Sequence, residues 1–122
     1  MKVIIDLIED IRSAIDNDNS FSLLAMGLKE NENGEFTPAW KSAICNMKLD
    51  DDKKSLFLFL GKEKALTVGS VLERLNVLEN NKMMYEVCVS YSKEQQRLDS
   101  SLLGFGEALG EKEYLLFIPE IA

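Results

Sequence analysis

At 122 residues and 46% hydrophobic content, the chain can bury one substantial core but not two ordinary ones, so residues 1–122 are expected to form a single domain. Fourteen basic against 21 acidic side chains give a net charge of −7 with no basic stripe, which argues against direct nucleic-acid binding. The imbalance lies at the front: residues 1–52 carry 5 basic and 11 acidic side chains, residues 53–122 carry 9 and 10. Such acidity suits a basic partner protein, although solubility alone also accounts for it.

The first element in chain order is an amphipathic helix over Val3 to Asp16. Ile4, Ile8, Ile11 and Ile15 form its apolar stripe, widened by Leu7 and Ala14, while Asp6, Glu9, Asp10 and Ser13 face water. The acids interrupt the apolar run too often for a secretory or membrane-spanning segment, so neither a leader nor a membrane association is expected. Asp16 to Ser20 (DNDNS) ends the helix. Phe21 to Leu28 reads as a buried strand, and a kinked extension of the helical region is the other reading. Asn33-Gly34 then favours a tight hairpin turn. Phe36 to Leu49 is β-like but contains Pro38, which points to a sheet margin. Ala39, Ala43, Cys45, Met47 and Leu49 are expected on one face, Trp40 and Ile44 on the other.

Leu56 to Leu60 (LFLFL) is apolar on both faces and predicts a central, covered strand. Thr67 is a good N-cap for a helix whose Val68, Val71, Leu72, Leu75 and Leu78 repeat at helical spacing. Asn80-Asn81 breaks it, and Met83, Tyr85, Val87, Val89 and Tyr91 alternate as a half-buried strand. Ser92 to Ser101 reads as a mobile polar loop, Leu102 to Phe105 as a short optional strand, and Tyr114 to Ile118 as the last strand. The expectation is an α+β fold: two helices on a mostly antiparallel or mixed sheet of about five to six strands, in the order α-β-β-β-α-β-(β)-β.

The segments LTVGSVLERL, NKMMYEVCVSYS, LLGFGEA and EKEYLLFI resemble small bacterial and mobile-element α+β proteins of unknown function. In these a TVG-x-L-x-x-L helix start leads into a V-x-V strand, a variable loop and a final apolar strand. The resemblance spans residues 66–118. It implies the fold of that half and carries over no catalytic or binding residue.

Histidine is absent, which removes Ser-His-Asp and Cys-His catalysis and every His-containing metal site. Cys45 and Cys88 stand 43 positions apart without a CxxC, and read as reduced, buried small hydrophobes of a cytoplasmic protein. Gly104, Gly106 and Gly110 miss the dinucleotide spacing and are better explained by a turn between short strands. Asp16, Asp18 and Ser20 imitate the start of a calcium loop, but Phe21 and Gly27 stand where the bend Gly and the bidentate Glu belong. Asp50, Asp51 and Asp52 read as a solvated hairpin tip beside Lys53 and Lys54. Cys88, with Glu86 and Ser90 beside it, lacks the cationic surroundings of a nucleophile. Tyr85 and Tyr91 fit core packing with hydroxyls near the rim. No cofactor is expected.

Three functions fit these residues. The first is a non-enzymatic cytoplasmic interaction domain with an unknown protein partner, with Trp40 as a candidate anchor and a strand edge available for homodimerisation. The second is an acidic decoy for a nucleic-acid-binding protein, encoded by a mobile element and acting through Asp6, Glu9, Asp10 and Asp16. The third is a carboxylate enzyme or small-ligand protein using Glu86 and Glu73, which requires buried, convergent carboxylates.

Overall fold

The structure is a computed structural model, and it describes residues 1–15 and 18–120. It is an α+β fold with two helices and a mixed seven-stranded sheet. The elements are α1 (Ile4–Ala14), β1 (Ser22–Glu30), β2 (Phe36–Asp50), β3 (Ser55–Gly61), α2 (Val68–Asn76), β4 (Glu86–Lys93), β5 (Gln96–Ser101), β6 (Gly104–Ala108) and β7 (Glu113–Pro119). The sheet order is β5-β4-β3-β2-β1-β7-β6; β1/β7 and β3/β4 pair in parallel and the other neighbours antiparallel.

Chain connectivity forces the sheet to curl. A flat sheet of seven strands would hold its edges roughly 29 Å apart at about 4.8 Å per strand. Yet the edge strands β5 and β6 are joined by Leu102 and Leu103 alone, a reach of at most about 11 Å from Ser101 to Gly104. The sheet bends until β5 comes back against β7, and the Leu103 N–H donates to the Phe117 carbonyl at 2.7 Å. Buried Leu102 seals the join.

One face of the sheet and both helices share the core. From α1 come Ile4, Leu7, Ile8 and Ile11, with Ile15 just beyond; from α2 come Val68, Val71 and Leu75. The strands add Leu23, Ala25, Leu56, Leu58, Val87, Val89, Tyr114, Leu116 and Ile118. Thr67 caps α2 by accepting the Ser70 N–H at 3.2 Å. Phe57 and Phe59 point to the opposite face, where the Arg97 guanidinium lies 4.5 and 5.2 Å from their ring centroids. The central strand is therefore covered on its second side by long side chains, Arg97 and, 5.7 Å from the Phe57 centroid, Lys53.

Four expectations need correction. The strands number seven because Gln96–Ser101, read as a mobile loop, pairs with β4. Its turn is Glu94-Gln95, both at positive φ (52° and 67°), a conformation that Asn-Gly would have advertised and Glu-Gln does not. The strand after α2 begins at Glu86: Asn80–Lys82 forms a 3₁₀ turn, and the Met83 and Tyr85 carbonyls accept the Ile5 and Ile4 N–H groups at the start of α1. Gly104 and Gly106 lie within β6 rather than in a turn, and a Cβ on Gly106 would come within 2.6 Å of the Phe117 ring.

The fourth correction concerns β2. Its register shifts between Ile44 and Asn46, so Cys45 is an extra residue and the alternation reverses there. Met47 and Leu49 consequently join Ile44 and Trp40 on the helix-covered face instead of opposing them. The bulge also parts β2 from β1, and Leu66 fills the split: its N–H donates to the Ile44 carbonyl and its own carbonyl accepts the Leu23 N–H, both at 2.8 Å. Pro38 does sit at a local margin, since β2 at that point pairs with β1 alone.

Candidate functional site

Because β2 is long, its two halves serve different partners. Residues 36–43 pair with β1, and residues 43–50 pair with β3. β3 stops at Gly61, opposite Ala43, and its last pairing with β4 is Phe59 with Ser90. Beyond that point β2 and β4 run on with no strand of the described residues between them, leaving a notch at the carboxyl ends of the parallel pair β3/β4. Trp40 and Ser42 line it from β2, Tyr91 and Ser92 from β4, and Leu60, Gly61 and Lys62 form its floor, enclosing a depression of about 350 Å³.

Trp40 is half-buried and rests on β1 at Gly27, where a Cβ would lie 2.4 Å from the indole. Only glycine leaves room for the ring. From the other side Tyr91 meets Trp40 edge-on, with ring centroids 6.2 Å apart. The Tyr91 hydroxyl is buried and has no hydrogen-bond partner, alone among the described side chains in this respect. Burial raises its pKa above the ordinary tyrosine value.

The acids of α1 occupy a separate surface. Asp6, Glu9 and Asp10 line a shallow depression of about 450 Å³ with Lys2, Ser13 and Phe105. Two of the three hold the fold. The Asp6 carboxylate accepts the Val3 N–H at 2.9 Å, and Asp10 accepts the hydroxyl of fully buried Tyr114. Burial, and then the facing Asp10 carboxylate, push the Tyr114 phenol far up. Glu9 is exposed and the Lys2 ammonium lies 5.5 Å from the Phe105 ring centroid. Asp16 lies outside the described residues.

The other acids of the first half do not join this surface. Glu30, Glu32 and Glu35 sit at the β1–β2 turn and Asp50, Asp51 and Asp52 at the β2–β3 turn, separated by the length of β2, up to about 48 Å at ~3.4 Å per residue. Asp51 accepts the Tyr85 hydroxyl at 2.9 Å and pairs with Lys82 at 3.3 Å, which holds its carboxyl below the usual range. Asp18 accepts from the Ser20 hydroxyl and N–H and pairs with Lys112, and its carboxyl is lowered in that order of cause.

Glu86 and Glu73 do not converge. Glu86 accepts the Cys88 thiol at 3.3 Å and the Ser101 hydroxyl at 3.0 Å on the sheet face opposite the helices, while Glu73 stands on the exposed side of α2. Cys88 is buried, and burial together with Glu86 pushes its thiol up to about 12. No group of three or more metal-ligating side chains occurs among the described residues. No helix among them is long and apolar enough to cross a membrane.

The structure thus brings Asp6, Glu9 and Asp10 together and keeps Trp40 apart from them, on a surface of its own. Lys62, Ser42 and Ser92 carried no sequence signal, and Tyr91 read only as core packing. The available hint was the end of the LFLFL run at Gly61, which marks where one strand leaves the sheet before its neighbours do. Comparison with protein-family models, with curated proteins and with solved structures gives no match.

Proposed function

We propose that this protein is a small non-enzymatic interaction domain that takes a protein partner in the notch beside Trp40. The observation that carries the reading is half-exposed Trp40, seated on Gly27 and met edge-on by Tyr91 where β2 and β4 run past the end of β3. Trp and Tyr are also the residues on which interface energy concentrates. The non-enzymatic part of the reading is supported by the raised Cys88 thiol, unreactive near neutral pH, and by the commitment of Asp6 and Asp10 to hydrogen bonds of the fold. We place the protein in the cytoplasm, a reading that the free thiols Cys45 and Cys88 support.

The test is capture of partners from host lysate by wild type, Trp40→Ala and Glu9→Lys at low and at high salt. A specific protein retained at both salts, lost with Trp40→Ala and kept with Glu9→Lys, is expected. The gathering of Asp6, Glu9 and Asp10 in one depression favours a second reading, the acidic decoy. That reading takes over if the captured protein is a basic nucleic-acid binder held only at low salt and lost with Glu9→Lys.

A further inference from the structure

The notch is more than an aromatic hollow, because both of its walls are open strand edges. β2 over Trp40–Ser42, inside the register shift at Ala39 and clear of Pro38, pairs with β1 on one side, and among the described residues no other backbone bond reaches it. β4 over Tyr91–Lys93 likewise pairs with β5 alone. At the end of β3 these two strands are separated by one strand position, about 9.6 Å between backbones. We propose that an extended peptide segment of the partner adds to the sheet here, continuing the line of β3 between β2 and β4. This deepens the interaction-domain reading and rests on it.

The width argues for a single extended chain. A folded second copy would have to insert one of its own strands between Trp40 and Tyr91, which meet across the notch. The lining defines the chemistry of the segment. Trp40, Leu60 and Tyr91 offer apolar walls; Lys62 offers an ammonium and Ser42 and Ser92 hydroxyl donors, with no carboxylate among the lining residues. In a chain of net charge −7 this is a surface that favours an anion. The segment therefore carries an apolar side chain next to a carboxylate. Main-chain bonds to the open edges would provide affinity, and the apolar walls with Lys62 would provide selectivity.

Trp40 is the sole tryptophan, so its fluorescence reports on the notch without a background. The probes are the end-blocked hexapeptides TEVEVT and TKVKVT, titrated into the full chain to about 1 mM, the weak-binding range for so short a strand. Saturable change of Trp40 emission with TEVEVT is expected, with at least about tenfold weaker binding of TKVKVT and reversal of that preference in Lys62→Glu. Hydrogen exchange should slow at those amides of Trp40–Ser42 and Tyr91–Lys93 that point away from β1 and β5, every second residue, and not elsewhere. Absence of saturation, equal response to both peptides, or protection confined to other strands overturns the proposal. So does self-association that protects the same amides without peptide, which would assign the notch to a second copy. Failure of both peptides alongside Trp40-dependent capture of a partner removes strand addition and leaves the interaction domain standing.

Discussion

Tyr91→Phe is the substitution that most directly tests the physical account of the notch. It deletes one buried oxygen that has no partner and leaves the ring packed edge-on against Trp40. An unsatisfied buried hydroxyl is unfavourable by about 1–3 kcal/mol. Removing one atom leaves a void of about 15 Å³ that opposes the gain by about 0.4 kcal/mol. The net expectation is a stabilisation of about 1 kcal/mol. With an unfolding entropy of about 2.1 cal/mol/K per residue, 122 residues convert this to a rise of about 4 °C in Tm. Urea unfolding of both proteins, read by circular dichroism and by Trp40 emission, should show a higher midpoint at unchanged slope. A destabilisation of about 1 kcal/mol or more would refute the reasoning, since it would mean that the hydroxyl is engaged within the folded protein.

Gly27→Ala places a Cβ 2.4 Å from the indole of Trp40 and should destabilise by about 1–3 kcal/mol while shifting Trp40 emission to the red; unchanged emission would contradict the packing. Replacing Glu94-Gln95 by Asn-Gly relieves two side chains held at positive φ (52° and 67°) and should raise the urea midpoint by the equivalent of about 1 kcal/mol. Cys88, pushed up to about 12 by burial and by Glu86, should label with iodoacetamide at pH 8 about a thousandfold more slowly than an ordinary exposed thiol, and Glu86→Gln should narrow that gap. Because the fold favours its neutral form, the Cys88 contribution to stability should be intact below pH 9 and lost as pH rises through about 12; a flat stability profile over that window would contradict the raised value.

The helices were legible because their apolar residues repeat on one side. Ile4, Ile8, Ile11 and Ile15, and Val68, Val71 and Leu75, all enter the core. β1, β3 and β7 announced themselves through apolar runs bounded by turn residues. β5 did not, because an edge strand half in water carries Gln96, Arg97, Asp99 and Ser101, and its turn lacks glycine and asparagine. The faces of β2 were misassigned at one residue: period-two reasoning holds only until an extra residue enters, and nothing about Cys45 distinguishes a bulge from a regular position. Trp40 was identifiable as a candidate anchor from its type alone. Its partner Tyr91 was not, since their contact depends on where β3 stops, a property of pairing between segments distant in the chain.

The two candidate surfaces differ in what the fold leaves undone at each. At the acidic end of α1 the side chains have internal work: Asp6 caps the helix, Asp10 satisfies the buried Tyr114 hydroxyl, and Lys2 lies near Phe105. Replacing those groups would cost stability before it changed recognition. At the notch the obligations run the other way. A buried hydroxyl lacks a partner, two strand edges lack neighbours, and an indole that only Gly27 can accommodate stays half-exposed. Strained turns alone do not mark the place, because Lys54 and Lys112 adopt positive φ elsewhere, at ordinary chain reversals. The distinguishing feature is the coincidence of unsatisfied hydrogen-bonding capacity in side chain and backbone at one end of one strand. Two irregularities of β2 frame it: a register shift against β1 between Trp40 and Pro38, and the extra residue at Cys45 against β3. The extra residue at Cys45 turns β2 so that its second half covers β3 and its first half follows β1, and the chain after Gly61 leaves the sheet at that divergence. Local departures from regular pattern that persist at a stability cost are where function is expected to reside, and here they converge on Trp40.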